Sequence, residues 1–306
     1  MTNLAARTTY QLKKRGRSRN VWVTLAFLTP ATALIGIFIG TPVVLTFLLS
    51  FTDAGLTGPL AVHPQFVGFA NFVTMVTSSQ FWQSIRASLE YLVGGGLLGQ
   101  VGLGLAAALF LRTVPKWVRQ SLVVLVVLAW VIPEIVGAFV WSAFLQSPGG
   151  LLDAFVRLFG ISSQPWLYKD PMLFVILAHA WKGAAFSMLV LGAAIESIPK
   201  ELTEAARVDG ARGLTMLSRV TLPLIRNALA TTLVLVTLWT LADFTMIFIL
   251  TGGGPLFQTD VLTVFTYQNS FSFYELGYGT ALSLVLLVLS GIMSLLYLRL
   301  VGRQDG

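Results

Sequence analysis

The side chains most able to do chemistry in this sequence are the few ionisable groups that interrupt its long apolar runs. Asp243 lies four residues after Trp239, Glu134 lies in a second run, and Lys182 follows Trp181 in a third. A carboxylate can accept hydrogen bonds from the hydroxyls of a solute, and an indole offers a flat face to the C–H surface of a sugar ring. We therefore interpret these five residues as candidates for the lining of a pathway for a hydroxyl-rich solute.

Each ionisable candidate also has a purely structural interpretation. Glu134 follows Pro133, which would bend a membrane helix, and its carboxyl group could make a hydrogen bond between helices. Lys182 could extend towards the membrane surface or pair with a carboxylate in the pathway. Asp243 should lie about 10 Å inside its helix end, at a rise of about 1.5 Å per residue, and could be neutralised by Lys182 or by a partner subunit.

Several classes of chemistry are excluded by what the sequence lacks. It has no cysteine and only two histidines, His63 and His179, so disulfide frameworks, thiolate metal sites and zinc-hydrolase motifs are ruled out. It contains no G-x-x-x-x-G-K-[ST] phosphate loop, so we do not expect this chain to hydrolyse ATP. No catalytic constellation is present in the apolar runs. We predict a protein that is not an enzyme and that binds no metal or cofactor of its own.

The composition predicts a membrane protein. Hydrophobic residues make up 56% of the 306 residues, charged residues only 11%, and the mean hydropathy is +0.80, whereas soluble proteins carry about 25% charged residues. The apolar runs are long enough to cross a bilayer and do not alternate as barrel strands do. We predict an all-α bundle of six membrane helices within a permease domain at 21–301. The six predicted spans are 22–51, 86–111, 120–145, 171–197, 223–250 and 278–300.

The basic residues predict the orientation. Sixteen of the twenty lysines and arginines fall on one side of these spans, and that side should be the cytoplasm. Both termini lie on it, as a basic tail at 1–20 and a short tail at 302–306. The tail resembles the basic region of a secretory signal, but the apolar run after it is too long and has no evident cleavage site, so we expect a retained first span. The net charge of +7 is therefore a topology signal and an attraction to anionic lipid, and we predict no nucleic-acid partner.

The predicted cytoplasmic loop at 198–222 holds the longest polar interruption among the cytoplasmic connections. Pro199 suits the start of a helix and Gly210 its end. Two adjacent alanines would let such a helix lie deep in a groove. Four residues at i, i+3, i+4 and i+7 give it one slim face: Leu202, Ala205, Ala206 and Asp209.

The pattern of this loop resembles the permease signature of binding-protein-dependent ABC importers. The signature reads E-A-A, three residues, G, nine residues, a β-branched residue, one residue and L-P. It is matched here by Glu204-Ala205-Ala206, Gly210, Val220 and Leu222-Pro223, with Asp209-Gly210-Ala211 as the D-G-A extension. Further stretches, among them 250–255, resemble the maltose-transporter-like, carbohydrate-importing branch, and the likeness covers nearly the whole chain. One departure is Ala242 before Asp243, where the branch commonly has phenylalanine.

The resemblance implies a fold, a set of partners and a function. The fold would be that of a type I ABC importer permease in a bacterial plasma membrane. The loop would dock as a coupling helix into an ATPase subunit through Glu204, Ala205, Ala206, Asp209, Gly210 and Ala211. The partners would be a second, homologous permease, two ATPase subunits that bind ATP and Mg²⁺, and an extracytoplasmic solute-binding protein.

The solute is expected to be a sugar or polyol, carried by alternating access. Importers of glycerol phosphate or another phosphorylated solute are the alternative within this class. Outside it, an ion-coupled transporter could use Asp243, Glu134 and Glu90 as a proton relay. The near absence of embedded basic residues favours a neutral solute.

Overall fold

The computed structural model describes residues 21–302, in which helices are joined by turns and loops and the β structure is one isolated bridge between Thr52 and Phe66. The predicted all-α class is therefore confirmed. The basic tail at 1–20 and residues 303–306 lie outside the described residues. The chain divides after Leu45 into two compact units. The terms cytoplasmic and external refer to the orientation that the basic residues predict.

Four uninterrupted helices are long and apolar enough to cross a membrane, and two bent helix pairs raise the number to six if each pair is one span. We keep the names span one to span six for these segments. The four uninterrupted helices belong to spans one, two, four and six: Leu25–Leu49, Ser79–Leu111, Pro171–Glu196 and Leu276–Tyr297. Span three is Lys116–Val131 with Glu134–Leu145, and span five is Arg226–Ala242 preceded by Gly213–Leu224.

The two bent pairs differ from the continuous spans that hydropathy predicts. The halves of span three meet at 101°, and the helix before span five meets it at 80°. Span three breaks because Pro133 has no backbone N–H and because a residue before proline is held out of the helical region; Ile132 is accordingly extended, with φ −53° and ψ 131°. Span five begins at Arg226 rather than at Pro223 and ends at Ala242, and a separate helix, Thr245–Leu250, follows it. The interruption at Asp243 and Phe244, inside the predicted span 223–250, is the break in span five.

Shorter helices fill the connections. The predicted external loop at 52–85 is more helical than expected, because span two begins at Ser79, where the Ser78 hydroxyl accepts the N–H of Phe81 at 3.4 Å. The external helices are Pro59–Val62, Ala70–Thr77, Leu151–Arg157, Trp166–Lys169 and Leu262–Tyr267. The cytoplasmic helices are Lys200–Val208 and Gly213–Met216, with Leu217–Thr221 and Leu222–Leu224 after them.

Spans two and four pack closely through glycine. A Cβ added to Gly99 would lie 2.5 Å from Ala180 Cβ, and one added to Gly104 would lie 2.4 Å from Ser187 Cβ and 2.8 Å from Ala184 O. Gly102, on another face, would meet nothing nearer than 3.8 Å. The helix backbones therefore approach more closely than any residue larger than glycine allows at 99 and 104.

Two aspartates are buried in the external loops, and one of them holds its loop together. Asp153 accepts hydrogen bonds from Trp166 Nε1 at 2.6 Å, from Ser147 Oγ at 3.2 Å and from Ser163 Oγ; the bond from Ser163 holds the pKa of Asp153 below its ordinary value. Asp260 is also buried, but its Oδ1 has no hydrogen-bond partner among the described residues. Burial raises the pKa of Asp260 to about 7.

We predict that Gly104→Ala destabilises the protein by about 1–3 kcal/mol, because the new methyl group meets backbone atoms that cannot move aside. The measurement is thermal unfolding of the assembled protein in lipid nanodiscs. Gly102→Ala is the matched control, because its methyl group has room. Equal unfolding temperatures for the two variants would contradict this account of the packing between spans two and four.

We predict that Asp260 makes stability depend on pH. Its folded pKa of about 7 exceeds the value of about 3.9 in an unfolded chain, so its contribution is most favourable below about pH 4 and is lost as the pH rises towards and through 7. Asp260→Asn should therefore raise the unfolding temperature at pH 8 more than at pH 5, in the same nanodisc assay. Asp170→Asn, at an exposed external position, is the control, and a gain that does not depend on pH would refute the assignment.

Candidate functional site

The six predicted coupling residues lie on one exposed cytoplasmic structure. The helix Lys200–Val208 starts after Pro199, and the chain turns at Gly210, whose φ of +85° is a left-handed conformation that favours glycine. Ala206 and Ala211 are half-buried, and the other four residues are exposed to solvent: Glu204, Ala205, Asp209 and Gly210. The helix boundaries at Pro199 and Gly210 are confirmed, and a second helical segment, Gly213–Leu224, follows the turn.

Apolar side chains on this structure point away from the protein. Val208 is 88% exposed and Leu214 is 81% exposed, on either side of the turn at Gly210. Leu202, on the slim face, is 47% exposed. Apolar side chains grouped on a surface that faces water mark a surface that another molecule covers.

The two ends of the loop are fixed in the core. Ile198 and Ile225 are buried in one cluster with Ile195 and Val236, which belong to spans four and five. Beside the loop, Arg119 of span three forms a 2.8 Å ion pair with Glu196 at the end of span four. The two ends of the loop are therefore packed directly against spans four and five.

A second group of polar residues lies inside the bundle around Asp243. His179 Nδ1 of span four is 3.0 Å from Asp243 Oδ2, and the hydroxyl of Tyr91 in span two donates to the same oxygen. His179 Nε2 is 3.0 Å from the hydroxyl of Thr240. A neutral histidine that donates through Nδ1 accepts through Nε2, so one imidazole connects Asp243 with Thr240. The group joins three spans.

Asp243 itself stands where span five ends. Its backbone is extended, with φ −68° and ψ 126°, and its Oδ1 accepts the N–H of Met246 at 3.4 Å in the next helix. Thr263 donates to its backbone carbonyl at 2.7 Å. The side chain is 7% exposed. Asp243 therefore takes part in hydrogen bonds to the backbone at a break between two helices. Because the polar group around Asp243 is buried, solute could reach its carboxylate only if these side chains moved apart.

Lys182 takes neither of the positions that the sequence suggests for it. Its Nζ donates to the carbonyl oxygen of Trp130 at 2.7 Å, to that of Ala129 at 3.4 Å, and to that of Ile132. These carbonyls form the end of the first half of span three. The suggested neutralisation of Asp243 by Lys182 is therefore wrong for this structure, because His179 and Tyr91 occupy the carboxylate.

Glu134 is exposed and begins the second half of span three. An acidic side chain in the first turn of a helix is stabilised by the helix dipole. It lies close enough to both Asp243 and Lys182 to interact with them electrostatically. The break in span three and the break in span five are therefore neighbours.

Aromatic side chains surround this region. Trp181 is 39% exposed and its ring centroid is 6.1 Å from that of Trp141; Trp239 is 49% exposed and lies 4.8 Å from Phe186. A groove of about 850 Å³ between spans two, three and four reaches Trp141 and Trp181. Among the described residues, no three His, Cys, Asp or Glu side chains are grouped as a metal site would require.

Tyr91 and His179 are the members of the central group that sequence reasoning missed. His179 stands three residues before Lys182, so the two share one face of a helix, and this spacing was a usable signal. No spacing in the sequence indicates Tyr91, because this residue lies 152 residues from Asp243.

Comparison with known proteins gives the family. Residues 100–305 match the family described as "Binding-protein-dependent transport system inner membrane component". The sulfoquinovosyl glycerol transport system permease protein SmoG of Agrobacterium fabrum is 30% identical over 289 residues, which cover 92% of this chain and 91% of the relative. The trehalose/maltose transport system permease protein MalF of Thermococcus litoralis is 30% identical over 305 residues, 98% of each chain.

A solved structure gives the fold. A chain of a bacterial ABC transporter involved in the import of the acidic polysaccharide alginate superposes with a TM-score of 0.74 at 24% identity, over 93% of this chain and 96% of that chain. The all-helical architecture, with four to six candidate spans, is thus an ABC permease fold. The chain belongs to the family of inner membrane permeases of binding-protein-dependent ABC transporters, and it is a transport component rather than an enzyme.

Proposed function

We propose that this chain is one permease subunit of an ATP-driven importer that carries a sugar, either a mono- or oligosaccharide or a polyol, by alternating access. The observation that carries the sugar assignment is the similarity over nearly the full chain to SmoG and MalF, whose names give carbohydrate substrates. The polar and aromatic groups at the breaks in spans three and five support it. Hydroxyl-rich solutes suit carboxylates and indole faces.

The proposed partners are a second homologous permease, two ATPase subunits and an extracytoplasmic solute-binding protein. ATP and Mg²⁺ would be bound by the ATPase subunits, since this sequence has no phosphate loop. The surface formed by Glu204 to Ala211 would enter a cleft of one ATPase subunit, with Val208 and Leu214 buried on contact. Closure of the ATPase pair would then move the loop, and the core residues at its two ends would transmit that movement to the spans.

The proposed pathway runs past the adjacent breaks in spans three and five. Discontinuous helices in transporters form binding sites near the middle of the membrane. Glu134, Trp181 and Trp239 have exposed surface there and are the proposed contacts with solute. Asp243 and Lys182 would act behind them, because both side chains are occupied by other groups of this chain.

The charges at the breaks favour an uncharged solute over a phosphorylated one. Glu134 lies near the carboxylate of Asp243 and near the ammonium group of Lys182, and that ammonium group already donates to three carbonyl oxygens. An anionic solute would meet no unoccupied cation among these residues. An ion-coupled mechanism has no comparable support, since family membership assigns the chain to ATP-driven systems.

The test of this function is the ATPase activity of the complex in lipid. The purified permease pair with its ATPase and binding-protein partners should hydrolyse ATP faster when the binding protein carries its sugar than when it is empty. A panel of neutral sugars and polyols should contain the stimulating ligand. The absence of stimulation by any of them, or stimulation only by phosphorylated solutes, would contradict the proposal.

We predict that Gly210→Ala uncouples transport from ATP hydrolysis. A left-handed backbone costs about 1–2 kcal/mol for residues with a side chain, so alanine should displace the turn at the end of the coupling helix. Uptake into proteoliposomes should fall severalfold, and stimulation of the ATPase by loaded binding protein should fall with it. Gly210→Asn is the matched control, because asparagine tolerates this conformation and should retain most of the activity.

Insertion into the membrane should be unaffected by Gly210→Ala, since a Cβ added at this position meets no neighbouring atom within 4 Å. Glu204→Gln tests the same surface through its charge and should also reduce coupling. Normal uptake in both variants would refute the assignment of this loop.

A further inference from the structure

The break in span three leaves backbone groups that need partners. The first half ends at Val131 and the second begins at Glu134, and the two helix axes meet at 101°. The last carbonyl groups of a helix have no partner within the helix. In hydrocarbon each such group costs several kcal/mol if nothing donates to it. Some other part of the protein must therefore hold this helix end.

Lys182 supplies the missing donors. In a continuous helix the Ala129 carbonyl would accept the N–H of residue 133, but Pro133 has none. Lys182 Nζ lies 3.4 Å from that oxygen, 2.7 Å from the Trp130 oxygen, and within bonding distance of the Ile132 oxygen. A cation is also favoured at a helix C-terminus by the helix dipole. One ammonium group thus satisfies three carbonyls of one helix end.

The same side chain contacts the second half of span three. A Cβ added to Gly137 would lie 3.9 Å from Lys182 Cδ, so the aliphatic part of the lysine passes alongside the helix Glu134–Leu145. Glu134, on the first turn of that helix, attracts the ammonium group. Lys182 therefore touches both halves of the broken span from a single position on span four.

We propose that Lys182 is a positioning residue that fixes the angle of span three and thereby presents Glu134 to the solute. The geometric part of this inference stands by itself, and its consequence for transport rests on the proposed function. Loss of the three hydrogen bonds leaves the first helix end unsatisfied. The two halves then move towards a straighter arrangement, in which fewer carbonyls lack a donor.

The angle can be measured with two spin labels, because the chain contains no cysteine of its own. Labels at Leu125 and Val140 lie on the two halves of span three, at positions that are 62% and 54% exposed. A continuous helix would place these positions about 22 Å apart, and the bent span brings them closer. The sample is the assembled complex in nanodiscs, measured by pulsed electron paramagnetic resonance.

Lys182→Met, which keeps the length of the side chain and removes its donors, should shift the distance distribution to longer values and broaden it. Lys182→Arg should keep the wild-type distribution, and Lys182→Gln, a shorter donor, should give an intermediate one. Lys169→Met removes the same charge from an exposed external helix and is the control. In the same series, the maximal uptake rate should fall at least about tenfold in the methionine variant and recover in the arginine variant.

An unchanged distance distribution in both Lys182→Met and Lys182→Gln would overturn the inference, whatever their activity. A shifted distribution with normal uptake would also overturn it, because the angle would then not matter for transport. Neither result would affect the proposed function, which fails instead if the wild-type complex shows no stimulation by sugar-loaded binding protein.

Discussion

A bilayer offers no water to a helix that ends inside it, and this constraint shapes the interior of the permease. Spans three and five are both interrupted within otherwise apolar segments. Each interruption exposes backbone groups, and side chains of the protein bond to them. Lys182 satisfies the carbonyl end in span three, and the Asp243 carboxylate and Thr263 hydroxyl bond to the backbone at the break in span five. Lys182 and Asp243 are thus tied to helix ends inside the bundle.

The coupling loop and the interior group are separate parts with separate tasks. The helix Lys200–Val208 and the turn at Gly210 are largely exposed, and the apolar side chains of Val208 and Leu214 face solvent. The interior group is buried and bonded throughout. What joins the two is packing, since the core residues at the ends of the loop pack against span four, which carries His179, and span five, which ends beside Asp243. The proposed transfer of work therefore passes through rigid contacts, without a chain of charges.

Hydropathy and the loop signature were sufficient to predict the all-helical class and its family, because both depend on local sequence. The breaks were not predictable to the same degree. Pro133 indicated a bend, but its size depends on a lysine about 50 residues away that supplies the donors. The break at Asp243 follows no proline or glycine, and its partners are Tyr91 and His179 on other spans. Distant partners of this kind leave no periodic pattern in a single sequence.

The most direct test of the account asks whether the breaks line a water-filled path. A single cysteine introduced at Trp239, in a complex whose partner subunits carry no reactive thiol, should react with a membrane-impermeant maleimide, and an excess of the transported sugar delivered by its binding protein should slow the reaction. A cysteine at Val288 of span six, which the account does not assign to the path, should react slowly with or without sugar. Equal rates at the two positions, or a rate at position 239 that sugar does not change, would contradict a solute path at the breaks.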